Sequence, residues 1–594
     1  MSAAPRFIFD LSALLALMLL HRAPMGIGRV QMALLEAGLA PGRTPLFELT
    51  AFSPEQGRFV EFPTALLLTM IQSAREGGRQ DAPSWVGLLV AANDLRKTAP
   101  PTIFGPGDRV LALGLSAPDT AQLRRLRELR QAHHVIICAL FYDAIPLATP
   151  EHCAPELSRS FSEYFLALCL QIDRAVAISA HAAQDFQLWQ RRMLPHLDIP
   201  VGVMPLNAQF PLPEKAPDGG MPKVFQEGRP FVLCVATIEG RKNHLLLLHA
   251  WLTLLRRHGD AVIPDLVLVG RPGFEGEAAL RLIQAAPELR RRVTHLQDIG
   301  DGLLGQLYDR CLFTIFNSFY EGWGLPVTEA LAHGKLALAP DHTSLREAGG
   351  TGALYFTPQS EPELLEMAWS LIRDPQHRAR LEARIPEQVR LRSWREVAEG
   401  LVATLSEETP PLPEPVWRLW FPLGERIGFE APDVPDLPSL LPAGSLLHQL
   451  LCEGEGWGTQ EKWGIGASWG ATRLRLPLAA PSPEPLALSL EVTAVASGPC
   501  TLRLRWHGPG ASPGPWLSEP LPAGQARLVR VEVPPCEMGD LVIELDTGAH
   551  PENPDQGRPS RFIFTGLMLC FKSDTTAELR YLSARLGMKV MHAG

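Results

Sequence analysis

The sequence predicts an α/β protein with two parallel, doubly wound sheets, followed by an all-β region. Along residues 1–405, short apolar runs alternate with helical patterns in two successive series, which is typical of parallel sheets with helical crossovers. Proline-rich segments at Pro211–Arg229 and Thr409–Pro415 separate these series from each other and from the region that follows. The sequence therefore predicts three domains, at residues 1–210, 230–405 and 416–594.

Each predicted strand of the first two domains is a short apolar run that ends in a polar or glycine-bearing loop. Such runs are typical of the buried strands of a parallel sheet. In the first domain they are Phe7–Phe9, Val110–Leu113, Val135–Leu140 and Ala175–Ile178. In the second domain they are Phe231–Val235, Leu266–Val269, Val293–Leu296, Leu312–Phe316 and Leu336–Ala339.

Two helices of the second domain have clear start signals. Asn243 is a residue type that caps helices, so we expect a helix from there to about Arg257. Pro326 suits a first helical turn, because the N–H that proline lacks would have no partner there. Gly334 marks the expected end of this second helix.

The third domain changes to a period of two in its apolar residues, which predicts antiparallel strands. We expect a β-sandwich of the jelly-roll type, followed by a short helical tail at Thr575–Leu586. The strands are predicted at Leu486–Val495, Cys500–Trp506, Ala526–Val533 and Asp540–Asp546.

Three tryptophans of the third domain, Trp457, Trp463 and Trp469, lie six residues apart. An even spacing places them on one face of an extended strand or on successive loop turns. They can form an aromatic platform that stacks on sugar rings, or they can belong to a tryptophan-rich core. The core interpretation is favoured, because large aromatic side chains are usually mostly buried.

The composition excludes several classes of protein. With 46% hydrophobic residues, the 594-residue chain can form sizeable cores and is not a disordered chain. Its net charge of −9 argues against a nucleic-acid partner bound by bulk charge. The 9 cysteines include no CxxC pair, which indicates reduced thiols in the cytosol rather than disulfides or a zinc site.

No apolar run reaches the ~18–20 residues that span a bilayer. Leu11–Leu20 comes nearest, but Asp10 precedes it and no small-residue cleavage site follows, so a signal peptide is not expected. We therefore expect a cytoplasmic protein, with peripheral association at the inner face of the membrane left open.

The segment Phe316–Gly334 carries the strongest functional signal. A strand ends, a loop follows in which Gly322 and Gly324 let backbone approach a ligand, and a helix begins. The free N–H groups at the helix start suit a phosphate. Glu321 and Glu329 lie near this site, and carboxylates accept hydrogen bonds from sugar hydroxyls. The structural alternative is a tight turn, with Glu329 only stabilising the helix dipole.

Arg241 and Lys242 follow the first strand of the second domain. Because parallel sheets bind ligands at the carboxyl ends of their strands, we expect both cations to face the same cleft as Glu321. Together they can neutralise a diphosphate without a metal. Taken alone, an Arg-Lys pair is more often a solvated surface patch.

These motifs resemble those of the retaining GT-B glycosyltransferases of glycosyltransferase family 4. Glu321-Gly-Trp-Gly-Leu-Pro-Val-Thr-Glu329 is similar to the two glutamates of that family, which have seven residues between them in a context like EGFGLP..EA. Val235-Ala-Thr-Ile-Glu-Gly-Arg-Lys-Asn243 is similar to its V-G-T-I-E-P-R-K-N segment. Further similar segments extend the resemblance over residues 6–405: Phe9–Ser12, Gly26–Arg29, Asp143–Pro146, Ala177–Ala182 and Ser344–Gly349.

The resemblance implies a GT-B fold, in which two Rossmann-like lobes face a cleft. It implies that Glu329 holds the ribose hydroxyls of the donor and that Glu321 contacts the donor sugar. Arg241 and Lys242 would bind the diphosphate, and these two and Glu321 are the implied catalytic residues. The other implied site residues are Gly28, Gly322, Gly324 and Leu325 for donor binding, with Tyr142 and Asp143 as a site in the first lobe.

The resemblance also implies sugar transfer with retention of configuration, without a metal or a cofactor. The acceptor hydroxyl would attack beside the departing diphosphate, so no protein nucleophile is required, in contrast to two-carboxylate hydrolases. The chain lacks the Asp-x-Asp triplet that metal-dependent glycosyltransferases commonly use. In such enzymes the last helix often returns to brace the first lobe, and Trp394–Leu405 is the candidate.

Two positions depart from the family pattern. Tyr142 stands where the family often has a histidine near the donor sugar, so that role is unassigned. His133 and His134 lie upstream and are interpreted as structural. Ala236 replaces the first glycine of the second-lobe loop, which allows a less close backbone approach.

We expect a hexosyltransferase, with mannose favoured, that acts on a glycan or lipid-linked glycan in lipopolysaccharide or exopolysaccharide biosynthesis. GDP-mannose is the favoured donor, because the Thr-Ile-Glu-x-Arg-Lys-Asn form resembles mannosyltransferases, and a UDP-hexose is the close alternative. The alternative function is a catalytically idle GT-B protein that binds carbohydrate. A sugar–phosphate enzyme on the same fold ranks below both.

Overall fold

In a computed structural model of the protein, the chain divides into two units. The first comprises Met1–Phe161, Gln171–Trp189 and Asp198–Pro411, and the second comprises Ser162–Leu170, Gln190–Leu197 and Leu412–Gly594. The structure describes residues 5–22, 26–112, 120–194, 197–208, 228–409, 421, 423–429, 451–454, 456–461, 463–468, 472–478, 480–495, 500–508, 511–537, 539–546, 561–585 and 589–592. Most of the two predicted linkers lies outside these residues, so the three domain limits stay predictions.

The first unit begins with a sheet of order β3-β2-β1-β4-β5-β6-β7. Neighbouring strands are parallel, except that β2 and β3 form an antiparallel hairpin at the edge. The strands are Phe7–Asp10 (β1), Glu48–Ser53 (β2), Arg58–Glu61 (β3), Arg109–Ala112 (β4), Ile136–Phe141 (β5), Arg174–Ala177 (β6) and Val201–Val203 (β7). The helices are Ser12–Leu20, Ile27–Gly38, Thr64–Glu76, Pro83–Thr98, Thr120–His133, Ile145–Ala148, Pro155–Gln171 and Ala180–Met193, with a 3₁₀ turn at Pro150–His152.

A second sheet of this unit is parallel throughout, with the order β10-β9-β8-β11-β12-β13. Its strands are Phe231–Val235 (β8), Asp265–Val269 (β9), Val293–Leu296 (β10), Thr314–Ile315 (β11), Ala337–Pro340 (β12) and Leu354–Phe356 (β13). Its helices are His244–His258, Glu277–Ala285, Pro287–Arg292, Asp301–Arg310, Leu325–Ala332, Leu345–Gly349, Glu361–Arg373, Pro375–Glu382 and Ile385–Gln388, with a 3₁₀ turn at Gly240–Lys242.

Most local predictions for the two sheets are confirmed. The predicted strands lie within one or two residues of the observed ones, whereas β2, β3, β7 and β13 are absent from the predictions. Asn243 caps the helix His244–His258, with its side-chain oxygen accepting a hydrogen bond from Leu246 N at 3.4 Å. The helix expected near Pro326 spans Leu325–Ala332.

The helix Trp394–Ser406 comes after the second sheet but packs on the helix Ile27–Gly38 of the first lobe. Arg395 donates to the carbonyl oxygens of Ala37 and Thr44, each at 3.3 Å. This confirms the expected return of the last helix. The two parallel sheets with their crossover helices are the Rossmann-like lobes of a GT-B fold, and the predicted fold class is confirmed.

The second unit is rich in β-structure, as predicted. One sheet has the order β16-β17-β24-β19-β22-β25, with β14 beside β24, and the other has the order β15-β18-β23-β20-β21. The strands are Arg426–Gly428 (β14), Cys452–Glu453 (β15), Trp457–Glu461 (β16), Gly464–Ala467 (β17), Thr472–Leu478 (β18), Leu486–Ala494 (β19), Cys500–His507 (β20), Leu517–Leu521 (β21), Ala526–Val533 (β22), Gly539–Asp546 (β23), Phe562–Phe571 (β24) and Lys589–His592 (β25). The jelly-roll arrangement stays a prediction.

The predicted helix at Thr575–Leu586 is confirmed, but the expectation that it closes the chain is wrong. The helix spans Thr575–Ser583, and Lys589–His592 then forms a strand that pairs in parallel with Ala526–Val533. The sheet is therefore not purely antiparallel. The helix packs Ala577 and Tyr581 against the sheet, which gives its apolar face a place to be buried.

The evenly spaced tryptophans do not share one strand. Trp457 lies on β16, where its ring packs edge-on against Phe564 with the centroids 5.3 Å apart. Trp463 lies in the turn before β17 and is 49% exposed, so it does not belong to a core. Trp469 lies outside the described residues.

Candidate active site between the two lobes

The loop between β11 and the helix Leu325–Ala332 is shaped by two glycines. Gly324 has a φ of 102°, in the left-handed region, where a side chain is strained. A Cβ on Gly322 would lie 2.1 Å from the carbonyl oxygen of Tyr142 in the first lobe. The loop also accepts a hydrogen bond from Ser179 Oγ to Gly322 O, at 2.7 Å. The backbone at Gly322 is therefore closely approached by the turn Tyr142–Asp143 of the first lobe, whereas the predicted approach to a ligand stays a prediction.

Glu321 lies between the two predicted cations. Its Oε1 accepts from Arg241 Nη1 at 3.0 Å and contacts the Lys242 ammonium. The carboxylate is only 8% exposed. Burial opposes its ionisation, but the charges of Lys242 and Arg241 outweigh burial and lower the pKa of Glu321 to about 2. The expectation that these three residues meet is confirmed in position, whereas their catalytic roles stay predictions.

Arg241 is anchored on several sides. Its Nη1 also donates to Tyr320 O at 2.7 Å, and its Nη2 donates to Glu239 Oε1 at 2.7 Å. Burial and the neighbouring Arg241 lower the pKa of Lys242. The two cations are therefore fixed side by side at the carboxyl ends of β8 and β11, which are adjacent strands.

Glu329 is 5% exposed and meets a residue from the first lobe. Its Oε1 accepts from Arg29 Nη1 at 2.6 Å, and its Oε2 accepts from the Tyr308 hydroxyl at 2.7 Å. Arg29 also lies 3.3 Å from Asp301 Oδ1. Burial opposes the charge of Arg29, but Glu329 and Asp301 raise its pKa, so it stays a cation. The sequence motif contains Arg29, yet nothing local identifies its partner.

A cavity of about 290 Å³ between the lobes, here called the donor cavity, collects nearly all the predicted site residues. Gly28 is the exception; it is buried in the first turn of the helix Ile27–Gly38, and its neighbours Gly26, Ile27 and Arg29 border the cavity instead. Ala236 also borders the cavity. The predicted residues at its wall are Tyr142, Asp143, Arg241, Lys242, Glu321, Gly322, Gly324, Leu325 and Glu329.

On the first-lobe side of this wall, Asp143 is a half-buried carboxyl. Asp143 accepts from Ile145 N at 3.1 Å, and burial raises its pKa. His133 and His134, interpreted as structural, are exposed. Within the part of the chain that the structure describes, no cluster of three or more His, Cys, Asp or Glu side chains is placed to hold a metal ion.

A second group of interlobe contacts lies beside Glu321 and was not predicted. The hydroxyl of Tyr320 donates to Asp185, with 2.8 and 2.9 Å to its two carboxylate oxygens. His181 Nε2 lies 3.1 Å from the same hydroxyl. Burial raises the pKa of Asp185. These residues tie the loop that carries Glu321 to the helix Ala180–Met193.

Among the described residues, no helix is both long enough and apolar enough to cross a membrane. One side of the donor cavity lies in a segment that is similar to a known protein family. Residues 222–388 match the family described as "Glycosyl transferases group 1". This segment contains Arg241, Lys242, Glu321 and Glu329, that is, the second-lobe side of the cavity.

The chain is also similar to curated mannosyltransferases. Serotype-specific mannosyltransferase WbdA of Escherichia coli is 26% identical over 317 residues, which are 51% of this chain and 38% of that protein. O-antigen chain mannosyltransferase B of Escherichia coli is 29% identical over 168 residues, which are 28% of this chain and 39% of that protein. The chain thus spans less than half the length of these relatives. The crystal structure of HepE of Anabaena in complex with UDP superposes with a TM-score of 0.42 at 16% identity, over 68% of this chain and 100% of that one.

Proposed function

We propose that this protein is a retaining, metal-independent glycosyltransferase. It would move a hexose, with mannose favoured, from a nucleotide-sugar to a glycan or lipid-linked glycan in surface polysaccharide assembly. One observation carries the proposal: Arg241, Lys242, Glu321 and Glu329 converge on one interlobe cavity, within the segment that matches glycosyltransferases. The similarity to curated mannosyltransferases supports the choice of sugar.

The diphosphate of the donor is assigned to the cations and the helix start. Lys242 has three N–H donors and Arg241 has five, so contacts with Glu321 and Glu239 leave donors for phosphate oxygens. The helix that begins at Leu325 starts at the same cavity, where the helix dipole favours an anion. Cationic side chains and a helix start stabilise the charge that develops on a leaving diphosphate.

The nucleoside is assigned to Glu329. A carboxylate has about four acceptor positions, and Arg29 and Tyr308 take one on each oxygen. Ribose hydroxyls can therefore donate to the remaining positions without breaking the interlobe ion pair. The ion pair orients the carboxylate before the donor arrives.

Glu321 suits orientation of the donor sugar better than nucleophilic attack. With a pKa of about 2 and two cations beside it, the carboxylate is a weak base and a weak nucleophile. In the proposed step, the acceptor hydroxyl forms the new bond to the anomeric carbon as the bond to the diphosphate breaks on the same face. The proton of the hydroxyl passes to the departing phosphate oxygen.

The test is a screen of the purified protein against GDP-mannose and UDP-hexoses, with and without oligosaccharide acceptors. Release of GDP or UDP from one donor and a product with the anomeric configuration of that donor are expected. An inverted product would contradict retention. Saccharide binding without nucleotide release from any donor would instead favour the catalytically idle alternative.

A further inference from the structure

A second cavity, of about 480 Å³, is bordered by Glu239, a hydrogen-bond partner of Arg241. Nη1 of Arg241 contacts Glu321 at the donor cavity, and Nη2 contacts Glu239, which borders this second cavity. We call it the flanking cavity. Its wall combines residues of both lobes, and the ones that matter here are His152, Glu239, His244, Glu275, Glu277 and Phe319.

The charge of the flanking cavity is wrong for a phosphate. Three carboxylates, those of Glu239, Glu275 and Glu277, border it, and Arg281 is the cation among the described residues of its wall. An anionic ligand would be repelled, whereas a neutral ligand with hydroxyl groups can donate hydrogen bonds to carboxylates. Glu275 and Glu277 are exposed, so a ligand can reach them from solvent.

A buried histidine at the same wall has an unused hydrogen-bonding atom. His244 is 2% exposed, and burial lowers its pKa to about 4, so the ring is neutral at pH 7. Its Nε2 lies 3.9 Å from Cys234 Sγ, and its Nδ1 has no hydrogen-bond partner among the described residues. A buried polar atom without a partner is costly. Because His244 borders the flanking cavity, a ligand hydroxyl that reaches the ring would satisfy Nδ1.

The lobes also contribute an aromatic surface. The rings of His152 and Phe319 stack across the interlobe boundary, with centroids 4.6 Å apart and planes at 4°. Ligand sites commonly combine aromatic surface with a few placed polar groups. Carboxylates, a neutral imidazole and stacked rings form a wall suited to a sugar residue.

We infer that the flanking cavity is an acceptor subsite that binds neutral sugar residues of the glycan being extended. The inference rests on the proposed function and names where the second substrate lies. Glu239 on its wall is hydrogen-bonded to Arg241, which borders the donor cavity and contacts Glu321, so a glycan seated there would extend towards the donor cavity. The donor and the acceptor chain would thus occupy two cavities linked by the ion pair of Glu239 and Arg241.

The kinetic test compares the double variant Glu275→Gln/Glu277→Gln with Glu366→Gln, a matched change at an exposed position of the helix Glu361–Arg373. With the donor that the wild type uses and an α-linked mannotriose as acceptor, the double variant should raise KM for the mannotriose about tenfold or more. Nucleotide release without acceptor should stay unchanged, as should both values in Glu366→Gln. An unchanged KM, or an equal loss of acceptor-free release, would overturn the inference.

A binding measurement separates this inference from the proposed function. Saturation-transfer NMR should detect mannotriose on the wild-type protein in the presence of excess GDP, and should lose the signal in the double variant. Displacement of mannotriose by GDP would place the sugar in the donor cavity and refute the subsite. A wild type that releases no nucleotide but passes this NMR test would refute the proposed function alone. Thermal midpoints of all variants check that the fold is kept.

Discussion

Two buried carboxylates, Glu321 in the first unit and Glu491 in the second, share nearly the same electrostatics. Glu491 accepts from Arg426 at 2.7 and 2.8 Å and from Arg585 at 2.9 Å, just as Glu321 is held by two cations. In both, burial opposes ionisation, and the cationic partners outweigh burial and lower the pKa to about 2. Their titration would not tell the two apart.

Their surroundings do differ. Glu491 also accepts from the hydroxyls of Tyr581 at 2.9 Å and Thr565 at 3.0 Å, so its acceptor positions are filled by the protein. Glu321 and its cations form the wall of the donor cavity. A strongly shifted pKa therefore identifies a network of charged groups, whether it is structural or functional. What makes the Glu321 network a candidate functional site is that it borders a cavity.

The largest effect is expected at Glu329, the second carboxylate of the donor cavity. Glu329→Ala removes the group assigned to the ribose hydroxyls and should abolish transfer while the fold is kept. Thermal-shift assays with GDP or UDP should show a smaller stabilisation than in the wild type. Normal turnover by the variant would mean that Glu329 only interacts with the helix and with Arg29.

The same substitution at the two matched carboxylates separates function from structure. Glu321→Gln should reduce kcat roughly 100- to 1,000-fold, because an oriented charge at the reacting centre is lost. Glu491→Gln should leave kcat per folded molecule unchanged. Equal loss of activity in both variants, measured by nucleotide release, would contradict the distinction drawn here.

Stability should show the reverse order. Glu491→Gln leaves Arg426 and Arg585 without their shared carboxylate and should cost about 3 kcal/mol in the free energy of unfolding. Glu321→Gln should cost less, about 1 kcal/mol, because water in the donor cavity can solvate Arg241 and Lys242. Denaturant titrations followed by tryptophan fluorescence would measure both; a larger loss for Glu321→Gln would reverse the assignment.

Acid should weaken the protein through these same groups. A glutamate with a pKa of about 2 in the folded protein and about 4.3 in the unfolded chain contributes stability above pH ~4.3, and loses it as pH falls towards 2. For Glu491 this contribution is about 3 kcal/mol. The free energy of unfolding should therefore fall between pH 5 and 2.5, and less steeply in Glu491→Gln. Parallel pH profiles for the two proteins would show that Glu491 is not the titrating group.

The smallest effect is expected from metal removal. If Arg241 and Lys242 neutralise the diphosphate, nucleotide release should be unchanged after treatment with EDTA. Loss of activity in EDTA that is restored by Mn²⁺ would overturn the metal-independent mechanism.

The site residues that sequence patterns predicted are those in loops that follow neighbouring parallel strands. Arg241 and Glu321 follow β8 and β11, which pair in parallel, so their loops had to emerge at the same edge of the sheet. The cap at Asn243 was predictable because it depends on a hydrogen bond only three residues along the chain.

Other elements gave weak signals. Glu48–Ser53 and Arg58–Glu61 form a hairpin with a short loop. The sequence there contains no long run of alternating apolar and polar residues, so the usual signal for a strand is missing. The tryptophan spacing was ambiguous for a similar reason. Trp457 lies on a strand and Trp463 in the turn after it, and a spacing of six residues fits both cases.

Residue patterns along the chain were sufficient to predict which segments are helices or strands, the fold class and the second-lobe wall of the donor cavity. The partner of Glu329 was not local, because Arg29 lies 300 residues away in the other lobe. Likewise, the Tyr320–Asp185 hydrogen bond and the stack of His152 on Phe319 form only where the two lobes meet. Hydrogen bonds and ion pairs act over a few ångströms, so such contacts depend on packing, which residue patterns along one lobe do not encode.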